Sequence, residues 1–194
     1  MITHQGIEVN PDQIKAITNL HPPQNPKEVQ KFTGMTTPLN RFISRSANRC
    51  RPFFQLLNKW KNFEWTKKCV SAFEELKQYL SHPHVLSRSK KEEVLYAYIA
   101  FTNHAVSLVL VRNEKGLQKP VYYVSKSLHG KETRYLPLEK VILAIIHATR
   151  KLSHYFQAYI VIVLTQLPLQ ALLRKSDYMG RIAIWGTMFR GLQC

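Results

Sequence analysis

Three short stretches decide the fold: VLYAYIAF at 94–101, AVSLVLVR at 105–112 and PVYYVSK at 120–126. Each stretch is rich in β-branched and aromatic residues, which favour β-strands. The polar sequence NEKG at 113–116 predicts a turn between the second and third stretches. Because the links between the stretches are short, we expect three successive strands in an antiparallel meander.

The sequence after the third strand predicts a helix and a fourth strand. The helix begins at Pro137, runs to about Tyr155 and is apolar on nearly every side, which is typical of a helix buried across a sheet. The continuous apolar run at 159–164 predicts a central strand covered on both faces. Residues 168–173 predict the start of another helix. The predicted order is βββαβα, a mixed sheet with helices on its faces.

The first part of the chain carries the signals of helices. Asn-Pro pairs at 10–11 and 25–26 each supply an N-cap residue and a first-turn proline. Gly34 is predicted to end the second helix, and a further helix is expected through Leu39, Phe42 and Ile43.

A clearer helical pattern follows at the end of this part. Thr66 is the expected N-cap of a helix whose apolar face is formed by Cys69, Phe73, Leu76 and Leu80. A short strand is expected just before it, at 62–65. A polar, proline-containing connector at 81–93 then separates two predicted domains, a helical segment at 1–85 and an α/β domain at 86–194.

Composition limits the classes of partner. The 194 residues include 28 Lys and Arg against 12 Asp and Glu, a net charge of +16, and both halves of the chain are basic. This charge favours a polyanionic partner such as nucleic acid, while 45% apolar residues exclude a disordered basic tail. No apolar run reaches the length of a membrane span, and no secretory signal is visible at the N-terminus. We therefore expect an intracellular protein, cytoplasmic or nuclear, with no membrane partner.

Eight short motifs are distributed along the chain. The first part contains GIEVNP at 6–11, LNRFI at 39–43, FEW at 63–65 and AFEELK at 72–77. The second part contains PVYYVSK at 120–126, ETRY at 132–135, LEK at 138–140 and LSHYF at 152–156. The first four resemble the thumb and connection region of the reverse transcriptase in gypsy-type LTR-retrotransposon Pol polyproteins, and the last four resemble the ribonuclease H-like domain tethered behind it. The resemblance implies a thumb-connection segment followed by a ribonuclease H-like domain that lacks its last strand and helix. The polymerase palm of the family has no counterpart in this sequence.

The resemblance also implies a metal site that can be tested by residue type. Ribonuclease H chemistry uses two magnesium ions, which need several converging carboxylates. By resemblance Glu139 takes the place of the family's helix carboxylate, whereas Ala100 and Gln166 take the places of two aspartates. One ligand of the set remains, so we expect no bound metal and no ribonuclease H activity. Glu139 has a structural alternative, because an acidic residue near a helix start is stabilising in any protein.

Basic residues are the remaining candidates for function. Arg41, Arg45, Arg49 and Arg51 recur at a spacing that predicts a basic stripe along one helix face, and a further pair is formed by Lys67 and Lys68. By resemblance to the thumb, these side chains are candidate phosphate contacts for an RNA–DNA hybrid. The alternative is a charged surface that only contacts water.

Three functional hypotheses follow from these observations. The first is a catalytically inactive reverse transcriptase/ribonuclease H-like fragment that binds RNA–DNA hybrid or other nucleic acid without sequence preference. The second is a structural connector or interaction module within a Pol polyprotein. The third is a hybrid ribonuclease completed in trans by other subunits.

Overall fold

The computed structural model describes residues 6–58, 63–82, 85–167 and 169. The first part of the chain is helical, with α1 (Pro11–Thr18), α2 (Pro26–Thr36), a 3₁₀ helix (Thr37–Phe42), α3 (Ser46–Arg49), α4 (Arg51–Asn58) and α5 (Lys67–Ser81). The second part contains β1 (Val94–Phe101), β2 (Ala105–Glu114), β3 (Leu117–Ser127), a 3₁₀ helix (Gly130–Arg134), α6 (Pro137–Lys151), α7 (Ser153–Ala158) and β4 (Ile160–Leu164). The helix predicted at 168–173 lies, apart from Leu169, outside the described residues.

The four strands form one mixed sheet in the order β3-β2-β1-β4. The pairs β1–β2 and β2–β3 are antiparallel, and β1–β4 is parallel, so the predicted meander and mixed sheet are confirmed. The strands of the sheet have two ends that are referred to below. The carboxyl end is the one at which β1 and β4 terminate. The hairpin end is the opposite one, where β1 begins and the β2–β3 turn lies.

The prediction that the fourth strand is central is wrong for the described part of the chain. There β4 pairs with β1 alone, and Ile160, Ile162 and Leu164 are 66%, 42% and 37% exposed. Its other two residues, Val161 and Val163, pack into the sheet core. An unbroken apolar run indicates a strand but not which neighbours cover it, and here α6 covers one face.

Helix α6 is shorter than predicted. It ends at Lys151, and Leu152 leaves the helical conformation before α7 begins. Val141, Ile142 and Ile145 are buried and pack with partly buried side chains of β1 and β4. The apolar side chains of this helix therefore form the layer that covers the sheet, as their pattern indicates.

The helical part has its own aromatic core. Phe32, Phe53 and Phe73 are almost fully buried, with the ring centroid of Phe32 5.0 Å from that of Phe53 and 5.1 Å from that of Phe73. Burying a side chain of this size stabilises a fold by roughly 1.5–3 kcal/mol. The face of α5 predicted from the sequence lies in the same core and is confirmed.

Two local expectations in this part are wrong. Gly34 does not end α2, which continues to Thr36. Glycine only lowers helix stability by about 1 kcal/mol, and here the hydroxyls of Thr33 and Thr36 bond to helix carbonyls around it. Residues 63–65 belong to no strand.

The helical part is joined to the connector and to the sheet by direct hydrogen bonds. Ile7 forms an antiparallel bridge, outside the sheet, with Leu86 of the connector, with N–O distances of 2.7 and 3.0 Å. The next residue, Ser87, donates its backbone N–H to the Pro120 carbonyl of β3 at 2.7 Å. Gly6 lies beside this bridge with φ +150°, where a Cβ atom would overlap the Leu86 carbonyl. At the carboxyl end, the Ala47 amide donates to Ser125 Oγ at 3.1 Å. No helix within the described ranges is long and apolar enough to cross a bilayer.

Candidate functional site

The three positions at which the resemblance places metal ligands lie at the carboxyl end of the sheet. Ala100 is the penultimate residue of β1, and Gln166 follows the end of β4, the strand beside it. Helix α6 starts at the same end, because its first turns pack in one cluster with Ile99 and Leu167. Glu139 lies in the first turn of that helix.

The Glu139 carboxylate caps the N-terminus of α6. Its Oε2 accepts a hydrogen bond from the backbone N–H of Leu136 at 2.9 Å. The carboxylate also lies at the positive end of the helix dipole, where an acidic side chain is stabilising. This contact is the one that the structural alternative for Glu139 requires.

Neither of the other two positions supplies charge. Ala100 has only a methyl group and pairs with Ser107 of β2. Gln166 is an exposed amide in the bend after β4. No group of three His, Cys, Asp or Glu side chains that could hold a metal ion occurs in the described part of the chain. Two magnesium ions need several carboxylate oxygens, so the residues at this end do not fit the family's metal pair.

A second carboxylate follows β3 toward the same end of the sheet. Both oxygens of Glu132 accept hydrogen bonds from Lys126 Nζ, at 2.7 and 2.6 Å. Burial alone would raise the pKa of Glu132, but the bonds from Lys126 and from the His129 amide lower it. The charge of Glu132 is thus balanced within the fold. No helical or strand spacing marks this pair in the sequence, which is why sequence reasoning missed it.

The predicted stripe of four arginines on one helix is wrong. Arg41 lies in a 3₁₀ helix, Arg49 ends α3 and Arg51 begins α4. Arg45 has a left-handed backbone with φ 52° and ψ 37°, which interrupts any continuous helix. The prolines at 38 and 52 stand at the starts of separate helices and are the sequence signal that could have revealed the breaks.

The four arginines also differ in their surroundings. Arg49 is half-buried, with its guanidinium 4.5 Å above the Tyr79 ring and its Nε donating to the Ser44 carbonyl at 3.1 Å. Arg41 is exposed and stacks on the Phe42 ring at 4.8 Å. Arg45 is exposed, and Arg51 is half-buried. Arg41 and Arg45 are the two that present their charges to solution, whereas Arg49 is used in packing.

The predicted lysine pair lies in the first turn of α5. Lys67 and Lys68 are both exposed, and this turn contains no acidic residue. Cations at a helix N-terminus are unfavourable, because the helix dipole is positive there. Departures from such local preferences are expected where a residue serves a ligand, and the combined positive charge suits a phosphate.

A comparison with protein families identifies the family of the chain. Residues 65–163 match the family described as the RNase H-like domain found in reverse transcriptase. The chain belongs to this family. The match includes α5, β1–β3, α6, α7 and β4 up to residue 163, and it contains Ala100 and Glu139 but ends before Gln166.

Curated relatives of the RNase H-like chain are Pol polyproteins of transposons. It is 25% identical over 207 residues to the retrovirus-related Pol polyprotein from transposon opus of Drosophila melanogaster, covering 100% of this chain and 21% of the relative. It is 30% identical over 156 residues to that from transposon 297 of the same organism, covering 80% of this chain and 14% of the relative. The transposon Tf2-3 polyprotein of Schizosaccharomyces pombe is 26% identical over 93% of this chain and 13% of its own length. The chain thus spans about a fifth or less of these relatives.

Solved structures confirm the fold class. The foamy viral protease-reverse transcriptase dRH in complex with double-stranded DNA superimposes with a TM-score of 0.81 at 21% identity, covering 98% of this chain and 34% of that one. The foamy viral enzyme in complex with RNA/DNA hybrid gives a TM-score of 0.79 at 21% identity, covering 97% and 26%. Both the helical part and the mixed sheet of the RNase H-like chain are included in these superpositions.

Proposed function

We propose that this RNase H-like chain is a catalytically inactive part of a retrotransposon Pol protein that contacts nucleic acid without sequence preference. One observation is the main support for the proposed catalytic inactivity. At the carboxyl end of the sheet, the single carboxylate among the three family positions, Glu139, is bonded to the start of its own helix. The positions beside it hold a methyl group and a neutral amide, Ala100 and Gln166.

Ligand chemistry supports this inactivity. Magnesium keeps its water shell unless several negative oxygens replace it. Activating a water and stabilising a leaving oxygen in a two-metal reaction requires both ions to be held at once. One carboxylate with a neutral amide supplies too little charge for either ion.

The nucleic-acid contact is supported by charge and exposure. The net charge is +16, and exposed cations are found at Arg41, Arg45, Lys67 and Lys68. Guanidinium and ammonium groups bind phosphate oxygens without reading bases. Two foamy viral neighbours of the same fold were solved with double-stranded DNA and with RNA/DNA hybrid, which makes a hybrid the first ligand to test.

The catalytic part is tested with a labelled RNA–DNA hybrid. The purified chain is incubated with the hybrid in magnesium and, separately, in manganese, and products are resolved on a denaturing gel. We expect no cleavage of the RNA strand above that of a Glu139→Gln preparation, which controls for contaminating nuclease. Cleavage by the natural chain that is absent from the Glu139→Gln chain would overturn the proposed inactivity.

The binding part is tested by titrating the same hybrid across a salt series. The expected dissociation constant rises steeply with salt, because each phosphate contact releases a counterion. Replacing Arg41, Arg45, Lys67 and Lys68 together by Gln should weaken binding by at least about tenfold and flatten the salt slope. Replacing Lys15, Lys27, Lys31 and Lys91 together by Gln is the matched control. If both variants lose the same amount of affinity, the binding is explained by net charge alone and the four proposed residues have no special role.

A connector role is supported by separate contacts. The helical part is tied to the sheet at both ends. At the hairpin end, Ile7 bridges Leu86, and the next residue, Ser87, donates to the Pro120 carbonyl of β3. At the carboxyl end, the Ala47 amide donates to Ser125. Tyr123 of β3 also packs against the helical core. These contacts favour a firm link between segments of a longer protein. If the two parts unfold in a single transition under urea, the connector role gains support, and two separated transitions would contradict it.

A further inference from the structure

A cavity of about 700 Å³ lies at the hairpin end of the sheet, roughly 20 Å along β1 from Ala100. Ligand sites in proteins commonly measure roughly 300–1,000 Å³. None of the family's metal positions and none of the basic residues discussed above lines this cavity. Its uncharged walls come from three places in the chain: the start of the described residues, the connector before β1, and β3. They include Gly6, Val85, Ser87, Ser89 and Pro120.

The charged lining of the cavity is strongly positive. Its one carboxylate belongs to Glu114, against four cations: Arg88, Lys90, Arg112 and Lys119. A concave site with an excess of one charge concentrates the field inside it, which raises the local concentration of counter-charged ligand. The chemistry of the lining therefore suits an anion that carries several negative oxygens.

Arg112 is positioned before any ligand arrives. Its side chain is only 8% exposed, its Nε donates to Glu93 Oε2 at 3.1 Å, and its Nη2 is 3.5 Å from Glu114 Oε1. Glu93 is not a lining residue of the cavity. A guanidinium has five N–H donors in a rigid fork that matches phosphate oxygens. Fixing it in advance removes part of the entropy cost of binding.

The two lysines of the lining are also held in place. Glu114 accepts from Lys90 Nζ at 3.0 Å and from Lys119 Nζ at 2.7 Å. Two ammonium groups are thereby kept at one wall of the cavity. Arg88 is exposed and makes no ion pair with any residue of the described ranges. Within these ranges its guanidinium is therefore open to a ligand.

We propose that this cationic cavity, lined by Arg88, Lys90, Arg112 and Lys119, binds a phosphorylated ligand of nucleotide size. The guanidinium of Arg88 would take two phosphate oxygens, and Arg112 would add the N–H donors that its bonds to Glu93 and Glu114 leave over. The two ammonium groups would neutralise part of the remaining charge. The hydroxyls of Ser87 and Ser89 add neutral polar groups to the same lining. This site is separate from the proposed function, since it shares no residue with the surface assigned to the hybrid.

The experiment titrates the full chain with inorganic triphosphate by calorimetry at low salt. We expect one saturable site per chain, with about tenfold weaker binding in Arg88→Gln and in Lys90→Gln, because each variant removes a charge-assisted bond to phosphate. The matched control is Lys91→Gln, which removes the same charge from an exposed neighbour that does not line the cavity. Circular dichroism confirms that each variant is folded.

Two further titrations distinguish a free nucleotide from the phosphorylated end of a strand. Tighter binding of a nucleoside triphosphate than of inorganic triphosphate supports a free nucleotide, and a preference for a 5′-phosphorylated over an unphosphorylated single strand supports a strand end. The proposal is overturned if triphosphate fails to saturate, or if Lys91→Gln weakens it as much as Arg88→Gln. Failure of the proposed function is distinguishable, because Arg41→Gln would change hybrid binding but not triphosphate binding.

Discussion

The two ends of the sheet use their acidic residues in different ways. At the hairpin end, Glu93 and Glu114 are paired with cations, and a buried arginine, Arg112, lies between them. At the carboxyl end, Glu139 is bonded to a backbone amide. The hairpin end therefore holds a network in which Lys90, Arg112 and Lys119 surround two carboxylates. The described residues of the carboxyl end hold a helix cap, Glu139, and a single ion pair, Glu132 with Lys126.

This difference shows what a metal site would require. A magnesium pair is held by several carboxylates whose oxygens converge and replace water at the metal. Glu114 and Glu132 each bond to lysine, and Glu93 bonds to Arg112. The acidic residues of this sheet are used to hold the fold together, so new carboxylates rather than rearranged ones would be needed for metal binding. Four variants probe this contrast.

The largest effect is expected from Arg112→Ala at the hairpin end. It leaves the Glu93 carboxylate, whose side chain is 17% exposed, with the Lys90 amide as its remaining hydrogen bond. Removing one partner of a buried ion pair typically costs about 3–5 kcal/mol, so with this partial compensation we expect a loss of about 2–4 kcal/mol of unfolding free energy. Urea denaturation measures it. Lys91→Ala, the exposed control, should stay within about 0.5 kcal/mol of the natural chain, and a similar value for Arg112→Ala would show that the network is not stabilising.

A smaller effect is expected when the carboxyl end receives two new acids. In the double variant A100D/Q166D three carboxylates share this end, and we expect magnesium at about ten times its dissociation constant to add about 1–2 kcal/mol to the unfolding free energy. Thermal denaturation with and without magnesium measures this gain. The neutral pair A100N/Q166N is the control and should not respond. If A100D/Q166D is equally indifferent to magnesium, the three positions do not converge.

Glu139→Ala should cost less, about 0.5–1 kcal/mol of unfolding free energy, because it removes a cap and a favourable helix-dipole contact. The loss should be the same with and without magnesium, since a cap needs no metal. Chemical denaturation in both conditions checks this. A loss seen only in magnesium would indicate that Glu139 holds a cation.

The smallest effect concerns acid pH at Glu114. Hydrogen bonds from Lys119 and then Lys90 lower the pKa of this carboxyl from 4.5 to about 2. A lowered folded-state pKa means that the ion pairs stabilise the fold fully above the unfolded pKa of about 4.5 and lose this contribution as the pH falls toward about 2. In Glu114→Gln the unfolding free energy should therefore fall less steeply over this interval. Parallel curves for both chains would contradict the pairing.

Local patterns predicted most of the fold because short-range physics determines it. The asparagine caps at 10 and 25, the turn at 113–116 and the buried face of α5 each depend on neighbours within a few residues, and each is found as expected. The edge position of β4 depends instead on distant segments. The arginine spacing failed because Pro38 and the left-handed Arg45 override an i, i+4 pattern.

The residue types at the three candidate positions could be assigned from the sequence, but their contacts could not. The types of residue at 100, 139 and 166 already indicated a poor ligand set. The bonds from Lys126 to Glu132 and from Arg112 to Glu93 join residues 6 and 19 positions apart. Such pairs form only once strands and loops are placed, so no sequence period reveals them.

The bond from the Leu136 amide to Glu139 has an evolutionary consequence. Selection for a well-formed helix is sufficient to retain an acid at this position, whether or not the host element needs a working nuclease. Genome surveys that count surviving catalytic acids would then credit decayed copies with an enzyme they no longer encode.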